Sequence, residues 1–94
     1  MSQDLNNFFK AISDPNRVKI MELLREKELN VGEICHHFHM QQPSISHHLN
    51  ILKNAHIVGS SKRGKEVYYH LNPIRIQDCC NDFSDKFCEV EDDC

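Results

Sequence analysis

The sequence predicts a mainly α-helical protein with one small β-hairpin, a winged helix-turn-helix. Three observations predict it. Residues 42–55 carry apolar side chains at helical spacing beneath a polar face. Residues 57–71 read as a hairpin with a basic tip, and amphipathic helical patterns flank both segments. The expected order is four helices, two strands and a fifth helix, with residues 1–94 forming one domain with a modest core.

Leu5, Phe8, Phe9 and Ile12 mark an apolar stripe for the first helix. Asp14-Pro15 pairs an N-cap residue with proline at the first helical position, so a second helix starts there and runs to about Lys27. Asn30 and Glu33 have capping-box spacing and open a short third helix through about Phe38. His39-Met40-Gln41 is the turn. After the hairpin, Asn72-Pro73 starts a last helix over about 73–89, with Ile76, Cys80, Phe83 and Phe87 on one stripe. The acidic tail to Cys94 lies beyond it.

The fourth helix carries Pro43 near its start, where a missing N–H costs nothing. With Ile45 at zero and a step of about 100° per residue, Leu49 falls near about +40° and Leu52 near about −20°. Ser46, Asn50 and His47 fall on the far side at about 100°, 140° and 200°, whereas His48 at about −60° turns toward the core. Hydroxyls, an imidazole and amides on one face suit base edges and phosphates. Gln42, Ser44, Ser46 and His47 are therefore candidate DNA contacts, with Asn50 a weaker one. The bland alternative is a solvated face.

Residues 57–61 and 66–71 are strand-like, and Lys62-Arg63-Gly64-Lys65 lies between them. Gly64 supplies the positive φ of a tight turn. Lys62, Arg63 and Lys65 at a hairpin tip suit phosphates beside a groove.

Net charge is −3, which argues against a nucleic-acid partner until it is divided along the chain. Residues 1–39 hold five basic and six acidic groups; residues 40–70 hold four basic groups against Glu66; residues 71–94 hold two against seven. Positive charge concentrates on the predicted DNA face, and the local field outweighs the sum. No apolar run suits a membrane helix and no secretory signal opens the chain, so a cytoplasmic location is expected. No nucleophile elbow, phosphate loop or HExxH occurs, so the reading is not an enzyme.

The first and last helices each carry an aromatic stripe too large to leave wet. Small helix-turn-helix proteins bind two-fold sites as dimers. A homodimer through these two helices is expected.

The chain resembles the ArsR/SmtB family of metal- and stress-responsive repressors. The match runs through FKAISDPNRVKIMELL (Phe9–Leu24), ELNVGEI (Glu28–Ile34), QPSISHHLNILKNAHIV (Gln42–Val58) and GKEVYYHLN (Gly64–Asn72). The resemblance implies a dimeric winged-helix repressor that releases double-stranded operator DNA when an inducer binds. One family type holds arsenic or cadmium through cysteines of an ELCVC stretch, but Asn30 and Gly32 occupy those positions here. Another holds zinc between paired last helices through Asp, His and Glu, and the last helix here has no histidine.

Cys79, Cys80, Cys88 and Cys94 remain as candidate ligands. Some arsenic- and antimony-responsive members are similar in carrying a vicinal cysteine pair and a third cysteine on the last helix. Thiolates suit soft As(III), Sb(III) or another thiophilic metal ion as inducer. A three-thiolate site needs sulfurs about 3–4 Å apart. Cys80 and Cys88, however, are separated by about 12 Å of rise on one straight helix. The helix must break, the partner must supply a thiolate, or Cys94 must fold back. Alternatives are thiol-redox or reactive-sulfur sensing through Cys35 or the Cys79–Cys80 pair, or no ligand, with Cys80 packed on Phe83. Cys35 and His39 also share i, i+4 spacing and could share a metal, but a polar outer face on a short helix is the favoured account. Outside this class, a winged helix that binds a protein partner is the rival.

Overall fold

Five helices and a three-stranded antiparallel sheet build the protein, and the computed structural model describes residues 2–87. The order is α1 (Ser2–Ala11), α2 (Pro15–Glu26), β1 (Leu29–Asn30), α3 (Val31–Cys35), α4 (Gln42–Asn54), β2 (Val58–Arg63), β3 (Glu66–Leu71) and α5 (Pro73–Phe87). The mainly helical winged helix-turn-helix expected from the sequence is the fold observed.

The local signals set the helix starts. Asp14 caps α2 by accepting from the Asn16 amide at 2.7 Å, with Pro15 just inside. Asn30 and Glu33 close a reciprocal capping box on α3, at 2.8 and 2.9 Å. The third helix is shorter than expected. It ends at Cys35, and Phe38 folds into a turn through its amide to the Cys35 carbonyl at 3.1 Å. Lys19 of α2 fixes this turn, donating to the His37 carbonyl at 3.0 Å with its ammonium 4.8 Å from the centre of the Phe38 ring.

The end of α4 sets the direction of the wing. Ala55 is its C-cap, and His56 follows in the left-handed region at φ 63°. The Ile57 amide reaches the Leu52 carbonyl at 3.0 Å and the His56 amide reaches that of Lys53 at 2.9 Å. These bonds form a Schellman motif, and Leu52 and Ile57 bury together beneath it.

The sheet order is β1-β3-β2. The pair Leu29–Asn30 adds a short strand that sequence patterning missed, set against Tyr69 and Tyr68 of β3. In the hairpin Arg63 faces Glu66 across two turn residues, Gly64 and Lys65. Gly64 has φ 63° and Lys65 does not share the positive φ, the pattern of a type II′ turn. Lys62 and Arg63 thus belong to the strand rather than the tip.

The core lies between the helix-turn-helix and the root of the wing. Ile20, Ile34, Ile45, Leu49, Leu52 and Ile57 are fully buried. Leu5, Phe8 and Ala11 bring α1 onto this cluster, and Cys79 brings α5. The stripe drawn through Cys80 is corrected: Cys79 is buried and Cys80 is exposed. Cys88, Cys94 and the expected end of the last helix lie outside the described residues.

Candidate nucleic-acid interface

Helix α4 divides into two faces. Ile45, His48, Leu49 and Leu52 are buried. Gln42, Ser44, His47 and Asn50 are exposed and Ser46 is half-buried, so all five candidate contacts lie off the core face. Pro43 sits in the first turn, and Gln41 makes no side-chain cap.

The three wing cations differ. Lys62, Arg63 and Lys65 are all exposed. Among the described residues the Lys62 and Lys65 side chains make no hydrogen bond or ion pair. Arg63 instead lies back over the Tyr68 ring, 4.9 Å from its centre, and pairs with the Glu28 carboxylate. Glu28 precedes β1, so the unforeseen strand delivers the acid that holds Arg63.

Two groups of polar contacts fix α4 in place. At its middle, Arg17 of α2 lies 3.1 Å from Nδ1 of His48. The same guanidinium donates through Nε to the Ala11 carbonyl at 2.6 Å and through a terminal nitrogen to that of Lys10 at 3.2 Å, satisfying the end of α1. At the C-terminal end of α4, Arg75 of α5 donates to the Ala55 carbonyl at 3.0 Å, and the Asn72 side chain donates to that of His56 at 3.1 Å. None of these partners was named from sequence. The available signal was His48 itself: an imidazole on an otherwise apolar arc requires a hydrogen-bond partner.

Burial pushes the His48 imidazole below its ordinary value of 6.5, helped by the positive charge of Arg17 and by His47 and opposed by Asp14. Burial works the other way on Asp14. Its hydrogen bonds with the Asn16 and Arg17 backbone, and the charges of His48 and Arg17, outweigh that and hold the carboxyl below 3.8.

The cysteines are not gathered. Cys79 is buried, its neighbour Cys80 faces solvent, and Cys35 is half-buried on α3. Because α3 ends at Cys35, His39 lies beyond the helix and the i, i+4 alignment is lost. Among the described residues no group of three or more His, Cys, Asp or Glu side chains could hold a metal.

Leu5, Phe9, Phe83 and Phe87 line an apolar groove between α1 and α5. Phe83 meets Phe9 edge-on at 5.1 Å, yet Phe83 and Phe87 stay 44% and 62% exposed.

A helix-turn-helix with a polar outer helix face and a cationic wing beside it defines a DNA-binding regulator. The model for the arsR family of bacterial regulatory proteins matches residues 14–60. The chain is 49% identical to the transcriptional repressor SdpR of Bacillus subtilis over 82% of its own length and 86% of that protein's. It is 44% identical to the cadmium resistance regulatory protein CadC of Listeria innocua over 77% of its own length, but spans only 61% of that relative. Among solved structures, an ArsR-like regulator from Rhodococcus superposes with TM-score 0.82 at 23% identity, covering 88% of this chain and 78% of that one. HlyU of Vibrio cholerae superposes at 0.74 with 25% identity, covering 93% and 95%. The chain belongs to the ArsR family of DNA-binding transcriptional repressors. It is a regulator, not an enzyme, and no helix among the described residues is long and apolar enough to cross a membrane.

Proposed function

We propose that this chain is a cytoplasmic homodimeric repressor that reads operator DNA with α4 and grips the backbone with its wing. The carrying observation is the exposed polar face of α4 beside a cationic hairpin in a chain of net charge −3. Gln42, Ser44, Ser46 and His47 meet base edges or phosphates near the start of the helix, and Asn50 lies one turn on. Lys62 and Lys65 meet phosphates directly; Arg63 does so after leaving Glu28. The groove lined by Phe9, Phe83 and Phe87 takes the same groove of a second copy, which sets the two α4 helices against successive half-sites. The test is binding to a duplex enriched from a random-sequence pool. Lys62→Ala should weaken binding to all duplexes alike, and Phe83→Glu should yield a monomer with reduced affinity. Unchanged affinity in the first removes the wing contact; an intact dimer in the second removes the interface.

The inducer reading is a thiophilic ion, As(III) or Sb(III) first, held by Cys79 and Cys80 with Cys88 and Cys94. It is supported by four thiols within residues 79–94 and by relatives named for cadmium and arsenical resistance. On this reading chelation pulls Cys79 from the core and shifts α5, and Arg75 transmits the shift to the end of α4. A second reading, a repressor without a metal inducer, is favoured by the burial of Cys79 at 2% exposure. DNA release from the reduced protein with As(III), Sb(III), Cd(II), Zn(II) and persulfide in turn separates the two. The metalloid reading expects release that Cys79→Ser with Cys80→Ser abolishes. Release unaffected by both substitutions contradicts it.

A further inference from the structure

Arg17 does three things with one guanidinium. It donates to the Ala11 carbonyl, donates to the Lys10 carbonyl, and points its third donor at a histidine on the buried side of α4. His48 is 8% exposed and is the one buried polar side chain among the described residues. Nδ1 faces a group that only donates, so Nδ1 must accept, and the ring is the neutral tautomer with its proton on Nε2. Directly along the chain, His47 carries the outward ring of the same helix, 5.9 Å away centre to centre. The latch therefore lies beneath the residues that face DNA.

We propose that Arg17 and His48 are positioning residues that lock the DNA-reading helix to the α1–α2 corner, and that protonating His48 unlocks it. The inference rests on α4 being the helix that reads DNA. A protonated ring would set an N–H against the Arg17 N–H and a second positive charge beside the first. The charged and titratable groups facing His48 are Asp14 and Arg17 from α2 and His47 from its own helix; α1 presents the Lys10 and Ala11 carbonyls to Arg17. Asp14 alone favours the protonated ring, and it is already engaged by the Asn16 amide. Unlocking would release the angle of α4 rather than its charge, so specific binding would suffer more than non-specific binding.

The experiment compares wild type, His48→Asn and His48→Leu on an enriched duplex and a scrambled duplex of equal length, between mildly alkaline and mildly acidic pH. The asparagine Oδ1 takes the place of Nδ1 as acceptor for Arg17 but does not titrate. His48→Asn should keep the wild-type affinity at high pH and lose less of it on acidification, with His47 present in both proteins. His48→Leu should lose about tenfold in specific affinity relative to wild type at high pH, as expected for a part-buried donor left unpaired, with the gap closing on acidification and little change on the scrambled duplex. Arg17→Gln combined with His48→Leu should cost no more than the larger single loss, since both break one contact. Should Arg17→Gln fail to fold, the two His48 variants decide alone. Wild type and His48→Asn with the same pH profile, or His48→Leu with wild-type specificity at high pH, overturn the latch. A pool that yields no enriched duplex overturns the DNA reading itself and the latch with it.

Discussion

Glu28 and Arg63, thirty-five positions apart in sequence, form an ion pair across the face of the sheet. Their side chains remain 42% and 55% exposed, so water screens the pair and its net worth is about 1 kcal/mol or less. Arg63 can therefore exchange Glu28 for a phosphate at small cost. Glu28→Gln should tighten duplex binding by up to about fivefold, and Arg63→Ala should weaken it less than Lys62→Ala does. Fluorescence anisotropy on one labelled duplex measures all three. Weaker binding by Glu28→Gln would mean that the acid orients the wing instead of restraining it.

The left-handed residue after α4 is a second point of control, on stability. His56 holds φ 63° without being glycine. The steric cost of that conformation is about 1–2 kcal/mol. Glycine would remove it but lose about 0.5–1 kcal/mol to unfolded-chain entropy. His56→Gly should stabilise the protein by about 0.5–1 kcal/mol, raising Tm by several degrees in a thermal melt. A lower Tm would show that the imidazole makes a contact worth more than the strain.

At the root of the wing, Gly59 and His70 are cross-strand partners. A Cβ added at Gly59 would lie 2.5 Å from Nε2 of His70, so the ring packs over the glycine and must shift to admit a side chain. Gly59→Ala should destabilise by about 1–3 kcal/mol, as overpacking does. Adding His70→Ala should recover most of that loss in chemical denaturation. A double variant as unstable as Gly59→Ala alone would place the cost in the backbone.

Two groups set the acid side of the stability profile. His48 takes up its proton less readily folded than unfolded, so its contribution is complete above 6.5 and falls as pH drops toward its lowered folded value. Asp14, held below 3.8, adds a contribution present above that pH and lost beneath it. Denaturation midpoints should therefore decline in two stages on acidification. His48→Asn should remove the first stage and Asp14→Asn the second, with the N-cap retained. A single stage in wild type would contradict the division.

Much of this architecture was legible because its causes are local. Asp14-Pro15, the Asn30–Glu33 box, the Ile45–Leu49–Leu52 arc and Gly64 each act within a turn or two, and each appears where the residues imply. The missed features depend on distant partners. The strand Leu29–Asn30 exists because Tyr68 and Tyr69 arrive beside it. Arg63 is restrained by an acid 35 positions away, and Arg17 finds His48 across 31. On α5 the pattern Ile76, Phe83 leaves room for either cysteine on the apolar side, since Cys79 and Cys80 flank the same arc; packing against the core chose Cys79. The outward face of α4 was read correctly because its inward face is apolar apart from His48.

The most direct measurement of the central claim, that α4 and the wing bind duplex DNA, is affinity for an enriched duplex as a function of salt. In the proposed dimer, two wings with three cations each would place up to about six phosphates in contact, so affinity should fall by about a thousandfold between about 50 and 200 mM salt. Lys62→Ala should reduce the slope. An affinity indifferent to salt, or no duplex binding at low salt, would contradict the account and leave the winged helix as a surface for protein partners.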